Sequence, residues 1–144
     1  MKNIYLIILS SICFYSYSQF ESTEGKQRWE VLGSNKDGSV FLKLRGSNFY
    51  KFSFKNHQFS DNKTIKSIEL NLFDVDIDNL YNFLLNSFDL TESRQSSFKI
   101  DKYQFQVSKN GDFIMVTIKL VNSNETIGWM PLSIRDLNDL FGKY

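Results

Sequence analysis

The stretch YQFQVSKNGDFIMVTIKL, residues 103–120, decides the fold. Apolar and polar side chains alternate on both sides of a central Asn110-Gly111 pair. Such alternation is typical of a strand with one buried face, and Asn-Gly favours the type I′ turn that closes a β-hairpin. The stretch therefore predicts an antiparallel hairpin with Asn110-Gly111 at its tip.

The same period of two recurs on both sides of this hairpin. It covers residues 29–31, 40–44, 50–54 and 68–72, and residues 126–130 are interpreted as a further short strand. Polar, glycine-containing clusters separate the first of these runs and predict turns at residues 35–38 and 46–48. Residues 91–97 lack an apolar pattern, and we interpret them as a polar connector.

Two other segments change to a spacing of three and four, which predicts amphipathic helices. Asp76 or Asp78 is placed to cap the first helix, and Ser133 with Asp136 forms a capping box for the second. Gly142 lies where the second helix is expected to stop. The apolar positions are Ile77, Leu80, Tyr81, Leu84, Leu85 and Phe88 in the first helix, and Ile134, Leu137, Leu140 and Phe141 in the second.

Together these elements predict an α+β fold, with an antiparallel sheet and two amphipathic helices packed on it. Each half of the chain runs from strands to a helix, so residues 27–90 and 97–144 are candidate half-repeats of one domain, residues 19–144. The alternative is that such strands-then-helix arrangements recur through packing alone.

Residues 1–18 match a secretory signal peptide. Lys2 supplies the basic start, residues 4–15 form an apolar run, and Ser16 and Ser18 place the cut before Gln19. A membrane anchor would need a longer apolar run, and a lipoprotein acylated at Cys13 would need a small residue where Ile12 stands. We therefore expect an exported protein, periplasmic or secreted.

Cleavage fixes the composition of the mature chain. The only cysteine leaves with the signal, so the mature chain has no disulfide and no thiolate ligand. Lys2 also leaves, and sixteen of the seventeen basic residues then face sixteen acidic ones. A formally neutral chain has no overall field that attracts nucleic acid or anionic lipid.

No catalytic or metal-binding motif is evident in the sequence. Asp74, Asp76 and Asp78 begin like a calcium loop, but Asn79 stands where that loop needs glycine, so we interpret them as helix-capping residues. His57 is the only histidine and is interpreted as an exposed loop residue. We predict no catalytic residue, no metal and no cofactor. The spacing of the candidate carboxylates does not indicate a catalytic pair among Glu30, Glu69, Asp101 and Asp112.

One strand face carries both cations and aromatic rings. If the strands at 40–45 and 49–55 pair, their outward positions form an aromatic, basic surface, and we expect Arg45 and Lys51 to share it with an exposed Phe49. The candidate binding residues are Phe41, Lys43, Arg45, Phe49, Lys51 and Lys55.

Three functions remain open. The first is a small exported, non-enzymatic domain that binds a protein or glycan at the cell envelope. The second is an exported hydrolase of unrecognised type that uses carboxylates. The third follows from the Pro131-Leu132-Ser133 start of the second helix and the strands-then-helix order, which resemble the Whirly-like fold. That resemblance implies single-stranded nucleic-acid binding, which export argues against.

Overall fold

The computed structural model describes residues 28–57 and 64–143, so the expected signal peptide lies outside the described residues. This part of the chain contains two four-stranded antiparallel sheets and two α-helices, which confirms the predicted α+β class. The first sheet comprises β1 (Glu30–Ser34), β2 (Val40–Arg45), β3 (Phe49–Lys55) and β4 (Ile65–Asn71). The second comprises β5 (Gln95–Ile100), β6 (Tyr103–Asn110), β7 (Phe113–Leu120) and β8 (Thr126–Ser133). Helix α1 (Asp74–Asn86) and a 3-10 helix (Ser87–Asp89) connect the sheets, and α2 (Ile134–Phe141) follows β8.

Each sheet is a meander in which neighbouring strands follow one another along the chain, in the orders β1-β2-β3-β4 and β5-β6-β7-β8. The hairpin at residues 103–120 is β6 and β7, as predicted. Its turn differs from the expected one, because Asn110 pairs with Phe113 and the loop is Gly111-Asp112. The backbone φ of Gly111 is 60°, and glycine in the first loop position is the pattern of a type II′ turn.

The inner faces of the two sheets meet in a single core. The rings of Phe52 from β3 and Phe105 from β6 meet edge to face, with their centroids 6.1 Å apart. Both side chains have no exposed surface. Because strand residues alternate between faces, burying one set leaves the residues between them pointing away from the core. The alternation in the sequence thus fixes which side chains are left for a functional surface.

The two helices link the halves of the molecule. Helix α2 packs on β1 and β2 of the first sheet as well as on β8, whereas α1 and the 3-10 helix contact strands of the second sheet. At Gly33 the backbone of α2 comes so close that a Cβ atom would lie 2.2 Å from the carbonyl oxygen of Leu140. Glycine is therefore required where α2 crosses β1.

The helix starts differ in their capping. Ser133 and Asp136 form the predicted capping box at α2, since the Ser133 Oγ accepts a hydrogen bond from the Asp136 amide and the Ser133 amide donates to the Asp136 carboxylate. At α1 the cap position is Phe73, and Asp76 accepts a hydrogen bond from the Phe73 amide. Asp76 thus stabilises the helix start from inside the first turn.

The segment interpreted as a polar connector is shorter than expected. Strand β5 begins at Gln95 and pairs with β6 through residues that the connector was expected to contain. A half-repeat that begins at residue 97 would cut this strand. The physical reason is that β5 is an edge strand, whose polar side chains on the outer face leave only Phe98 and Ile100 as an apolar signal.

Candidate functional site

The six candidate residues of the strand face lie on one side of the first sheet. In the β2–β3 register Phe41 is opposite Ser53, Lys43 is opposite Lys51, and Arg45 is opposite Phe49. Directly opposed residues of antiparallel strands point to the same side of the sheet. Lys55 follows on β3 with the same phase. We call this surface the outer face of the first sheet.

The outer face owes its direction to the residues between these positions. Most of the intervening side chains are almost completely buried, namely Val40, Leu42, Tyr50, Phe52 and Phe54, and Leu44 is partly buried. A shift of the β3 register by one residue would expose Phe52 and Phe54 to solvent and would bury the lysines of that strand. The apolar pattern of β2 and β3 therefore holds the candidate residues on the surface.

Arg45 is the centre of a cluster of cations and rings, which we call the Arg45 cluster. Its guanidinium carbon lies 4.6 Å from the centre of the Trp29 ring and 5.6 Å from that of the Phe49 ring. The ammonium of Lys51 lies 5.5 Å from the Trp29 ring. Cations over aromatic rings are stabilised by the ring quadrupole. The Arg45 cluster thus holds two positive charges in defined positions on an open surface.

Trp29 was not among the candidate residues of the sequence. It lies just before β1 and reaches the cluster because β1 pairs with β2 at the edge of the sheet. The available sequence signal was the spacing of two residues between Trp29 and Val31, which places both side chains on the same side of the strand. Val31 lies opposite Lys43 in the β1–β2 register, so this side is the outer face. Phe49, on the other side of Arg45, is 41% exposed.

The charges of the outer face are strongly unequal. The strand positions described on this side of the sheet carry four cations, Lys43, Arg45, Lys51 and Lys55, and one carboxylate, Glu69 of β4. Glu69 lies opposite Lys51 and forms an ion pair with it at 3.3 Å. Both side chains are solvent-accessible, so this pair contributes little stability. The outer face is therefore strongly positive although the formal net charge of the whole chain is only +1.

His57 lies in the loop after β3, as the sequence indicated, but it is not exposed. It is half-buried, and its ring lies on the Trp129 ring of β8, with centroids 5.5 Å apart. The His57 amide donates a hydrogen bond to the Trp129 carbonyl at 3.0 Å, and the Trp129 amide donates to the side-chain oxygen of Asn56. Asn56 and His57 thus join the first sheet to Trp129 of the second sheet, and we call this line of contacts the seam.

Each carboxylate of the segment interpreted as helix-capping has its own partner. Asp74 accepts a hydrogen bond from the Tyr50 hydroxyl at 2.6 Å, and Asp78 pairs with Lys143 at 3.0 Å. Asp76 bonds the helix start, as described above. Burial, together with the bond to Asp74, raises the pKa of Tyr50 to about 12. Asp76 thus supports the helix start and Asp74 contacts the edge of the core through Tyr50, whereas Asp78 forms an exposed ion pair with the end of the described chain.

The other carboxylates considered for catalysis lie on separate elements. Glu30 is on β1 and Glu69 on β4, at opposite edges of the first sheet, and Asp101 and Asp112 lie in the turns at the two ends of β6. Within the described residues, 28–57 and 64–143, no group of three or more His, Cys, Asp or Glu side chains is placed to hold a metal ion.

No helix within the described ranges combines the length and apolar character needed to cross a membrane. Compared with models of protein families, with curated proteins and with solved structures, the chain has no match.

Proposed function

We propose that the mature chain is an exported, non-enzymatic binding domain that holds an anionic glycan of the cell envelope on the outer face of the first sheet. The observation that carries this proposal is the Arg45 cluster, in which two cations are fixed over the ring of Trp29. Export rests on the signal-peptide pattern of residues 1–18 and is tested by whether the mature protein begins at Gln19.

An anionic ligand is favoured by the placement of like charges. Lys43 and Lys51 lie directly opposite each other on neighbouring strands, an arrangement that destabilises a sheet. Glu69 offsets only the charge of Lys51, at the margin of the face. An anion lying between the two lysines and Arg45 would offset the remaining repulsion and gain charge-assisted hydrogen bonds.

A glycan fits the composition of the outer face better than a protein does. The fully buried centres of protein interfaces are depleted of charged residues, and lysine is among the residues that interfaces use least. Three of the four cations here are lysines. A hydrated, flexible polyanion leaves such side chains in contact with water, so it avoids the desolvation cost that a packed protein interface would impose.

Single-stranded nucleic acid is the second candidate, favoured by the rings that lie among the cations. Base stacking needs free aromatic faces. The Trp29 ring is engaged by Arg45 and Lys51, and the Phe41 ring has the ammonium of Lys43 at 5.8 Å from its centre. Because these rings already bind cations of the chain, recognition of charge is favoured over stacking of bases.

Binding of defined polymers to the mature protein separates these functions. We expect an oligogalacturonate to bind, a neutral cello-oligosaccharide of equal length not to bind, and the affinity for oligogalacturonate to fall as salt is added. Tighter binding of an oligodeoxynucleotide than of the glycan would replace the proposal by the nucleic-acid function. Binding of neither polymer at low salt would refute both and favour a protein partner.

We also infer that the two halves descend from one duplicated unit. The support is their common order, four meandering strands followed by a helix, in residues 30–86 and 95–141. Superposition of β1–β4 and α1 on β5–β8 and α2 is expected to match both the strand order and the position of the helix. A helix in a different position relative to its own sheet would argue for convergence by packing.

A further inference from the structure

A cleft of about 490 Å³ opens at one end of the molecule, where the first sheet meets the seam. The turn between β1 and β2 forms one wall, and the end of β3 with His57 forms another. The start of β7, the middle of β8 and the first turn of α2 complete it. Pockets that hold small ligands have volumes of roughly 300–1,000 Å³, so this cleft is within their range.

Apolar side chains line one part of the cleft. Val40 and Met130, which are buried, contribute to it together with Pro131 and Phe113. Phe113 is 47% exposed, because strand alternation points it away from the core in which the next residue, Ile114, is completely buried. An apolar group in the cleft would remove part of the Phe113 ring from water, and this would favour binding.

Charges of both signs line the rest of the cleft in equal number. Lys36 and Lys55 are the cations, and Asp37 and Asp136 are the carboxylates. Hydrogen bonds from Ser39 hold the pKa of Asp37 below its ordinary value, so this carboxylate is charged at neutral pH. Asp136 is fixed by the amide and hydroxyl of Ser133, which both donate to its Oδ2 atom. The carboxylates are therefore held in place before any ligand arrives.

This combination points to one class of ligand. We propose that the cleft binds the zwitterion of a short peptide with apolar side chains, about two residues long. The peptide carboxylate would meet Lys36 and Lys55, its ammonium would meet Asp136 or Asp37, and its side chains would lie on Phe113 and Met130. A ligand with a single charge would leave one pair of charged side chains without a partner, whereas a zwitterion matches both.

The volume of the cleft suits a peptide of about two residues. One water occupies about 30 Å³ of liquid, so the cleft has room for roughly sixteen waters and for a ligand with a similar number of heavy atoms. A dipeptide of two leucines is of this size. The peptide site and the outer face share only Lys55, so variants at the other residues of each site distinguish the two proposals.

Titration of the mature protein with Leu-Leu, followed by amide chemical shifts, tests the proposal. Leu-Leu is expected to bind with shifts at Lys36, His57 and Phe113, and Leu-Leu blocked at both ends is expected to bind about tenfold more weakly. No shift with millimolar Leu-Leu, or equal affinity for the blocked peptide, would overturn the proposal.

Variants assign the contacts. Phe113→Ala and Lys36→Ala are each expected to weaken Leu-Leu binding by about fivefold, whereas Arg45→Ala, which alters only the outer face, should leave it unchanged. Asp136→Asn keeps an oxygen for the helix cap and removes the charge, so it should weaken Leu-Leu more than N-acetyl-Leu-Leu. Equal weakening of both peptides by Asp136→Asn would contradict recognition of the ammonium by Asp136.

Discussion

The guanidinium of Arg45 lies 4.6 Å from the centre of the Trp29 ring, across the pairing of the first two strands. The contact restricts a long side chain that would otherwise sample many rotamers. Less conformational entropy is then lost when a ligand binds. The contact thereby holds the charge of Arg45 in a fixed position on the outer face before a ligand binds.

Replacement of Arg45 by alanine is the sharpest test of the outer face. We expect Arg45→Ala to weaken oligogalacturonate binding by about tenfold or more, because charge-assisted hydrogen bonds contribute about 1.5–3 kcal/mol each. Isothermal titration calorimetry measures the change. Arg135→Ala is the matched control, since Arg135 is 75% exposed on α2 and away from the outer face. Equal losses in the two variants would mean that only net charge matters.

Removal of the carboxylate on the outer face should act in the opposite direction. Glu69→Gln releases Lys51 from its ion pair and keeps the size and polarity of the side chain. We expect the affinity for oligogalacturonate to rise by about two- to fivefold, the scale of an exposed charge interaction. Glu125→Gln, in the loop between β7 and β8, is the control. An unchanged or lower affinity of Glu69→Gln would show that the anion does not approach Lys51.

Tyr50 gives a pH-dependent test of the core beneath the outer face. Its pKa is raised from 10.0 to about 12, chiefly by burial, so the folded state favours the protonated phenol. The stability from this shift is fully present below about pH 10 and is lost as the pH rises through about 12.

Tyr50→Phe removes both the phenol and its hydrogen bond to Asp74. We expect it to lower the free energy of unfolding at neutral pH by about 1–2 kcal/mol. The difference from the parent protein should shrink as the pH rises from about 10 to 12. Urea unfolding measured across this range provides the check, and a difference that stays constant would contradict the role given to the phenol.

Gly33 tests the close crossing of β1 and α2. In Gly33→Ala the new methyl group would meet the carbonyl oxygens of Leu140 and Asp139, which are backbone atoms with little freedom to move. We expect a loss of about 1–3 kcal/mol in the free energy of unfolding. Val31→Ala is the control, because Val31 lies on the same strand and is 59% exposed, so its truncation should change the free energy of unfolding by about 0.5 kcal/mol or less. A fully stable Gly33→Ala would mean that α2 does not pack against β1 in this way.

Much of the fold was predictable because its elements are locally determined. The alternation in residues 103–120 predicted β6 and β7, and the Ser133 and Asp136 pair predicted the start of α2. The predicted type I′ turn at Asn110-Gly111 was wrong, because Asn110 pairs with Phe113 and the loop is shifted by one residue to Gly111-Asp112. The first residues of β5 were interpreted as part of the polar connector because an edge strand buries few side chains, so its sequence carries a weak apolar pattern.

The outer face was predictable from strand phase alone, whereas its organisation was not. Alternation on two neighbouring strands is enough to place Lys43, Arg45 and Lys51 on one side of a sheet. The addition of Trp29 depends on the pairing of β1 with β2, and the contact of His57 with Trp129 joins residues far apart in the chain. The spacing of Trp29 and Val31 indicates the side of β1 on which Trp29 lies, but neither contact itself follows from local sequence, because both arise from the packing of complete strands.

The central claim is that the outer face of the first sheet is the surface that binds an anionic glycan. The most direct measurement is a titration of the isotope-labelled mature protein with oligogalacturonate, in which amide and side-chain resonances report the contacted residues. The expected result is a set of shifts centred on Lys43, Arg45 and Lys51, including the Trp29 indole, and reduced by salt. Shifts confined to the second sheet, or no shifts at low salt, would contradict the claim.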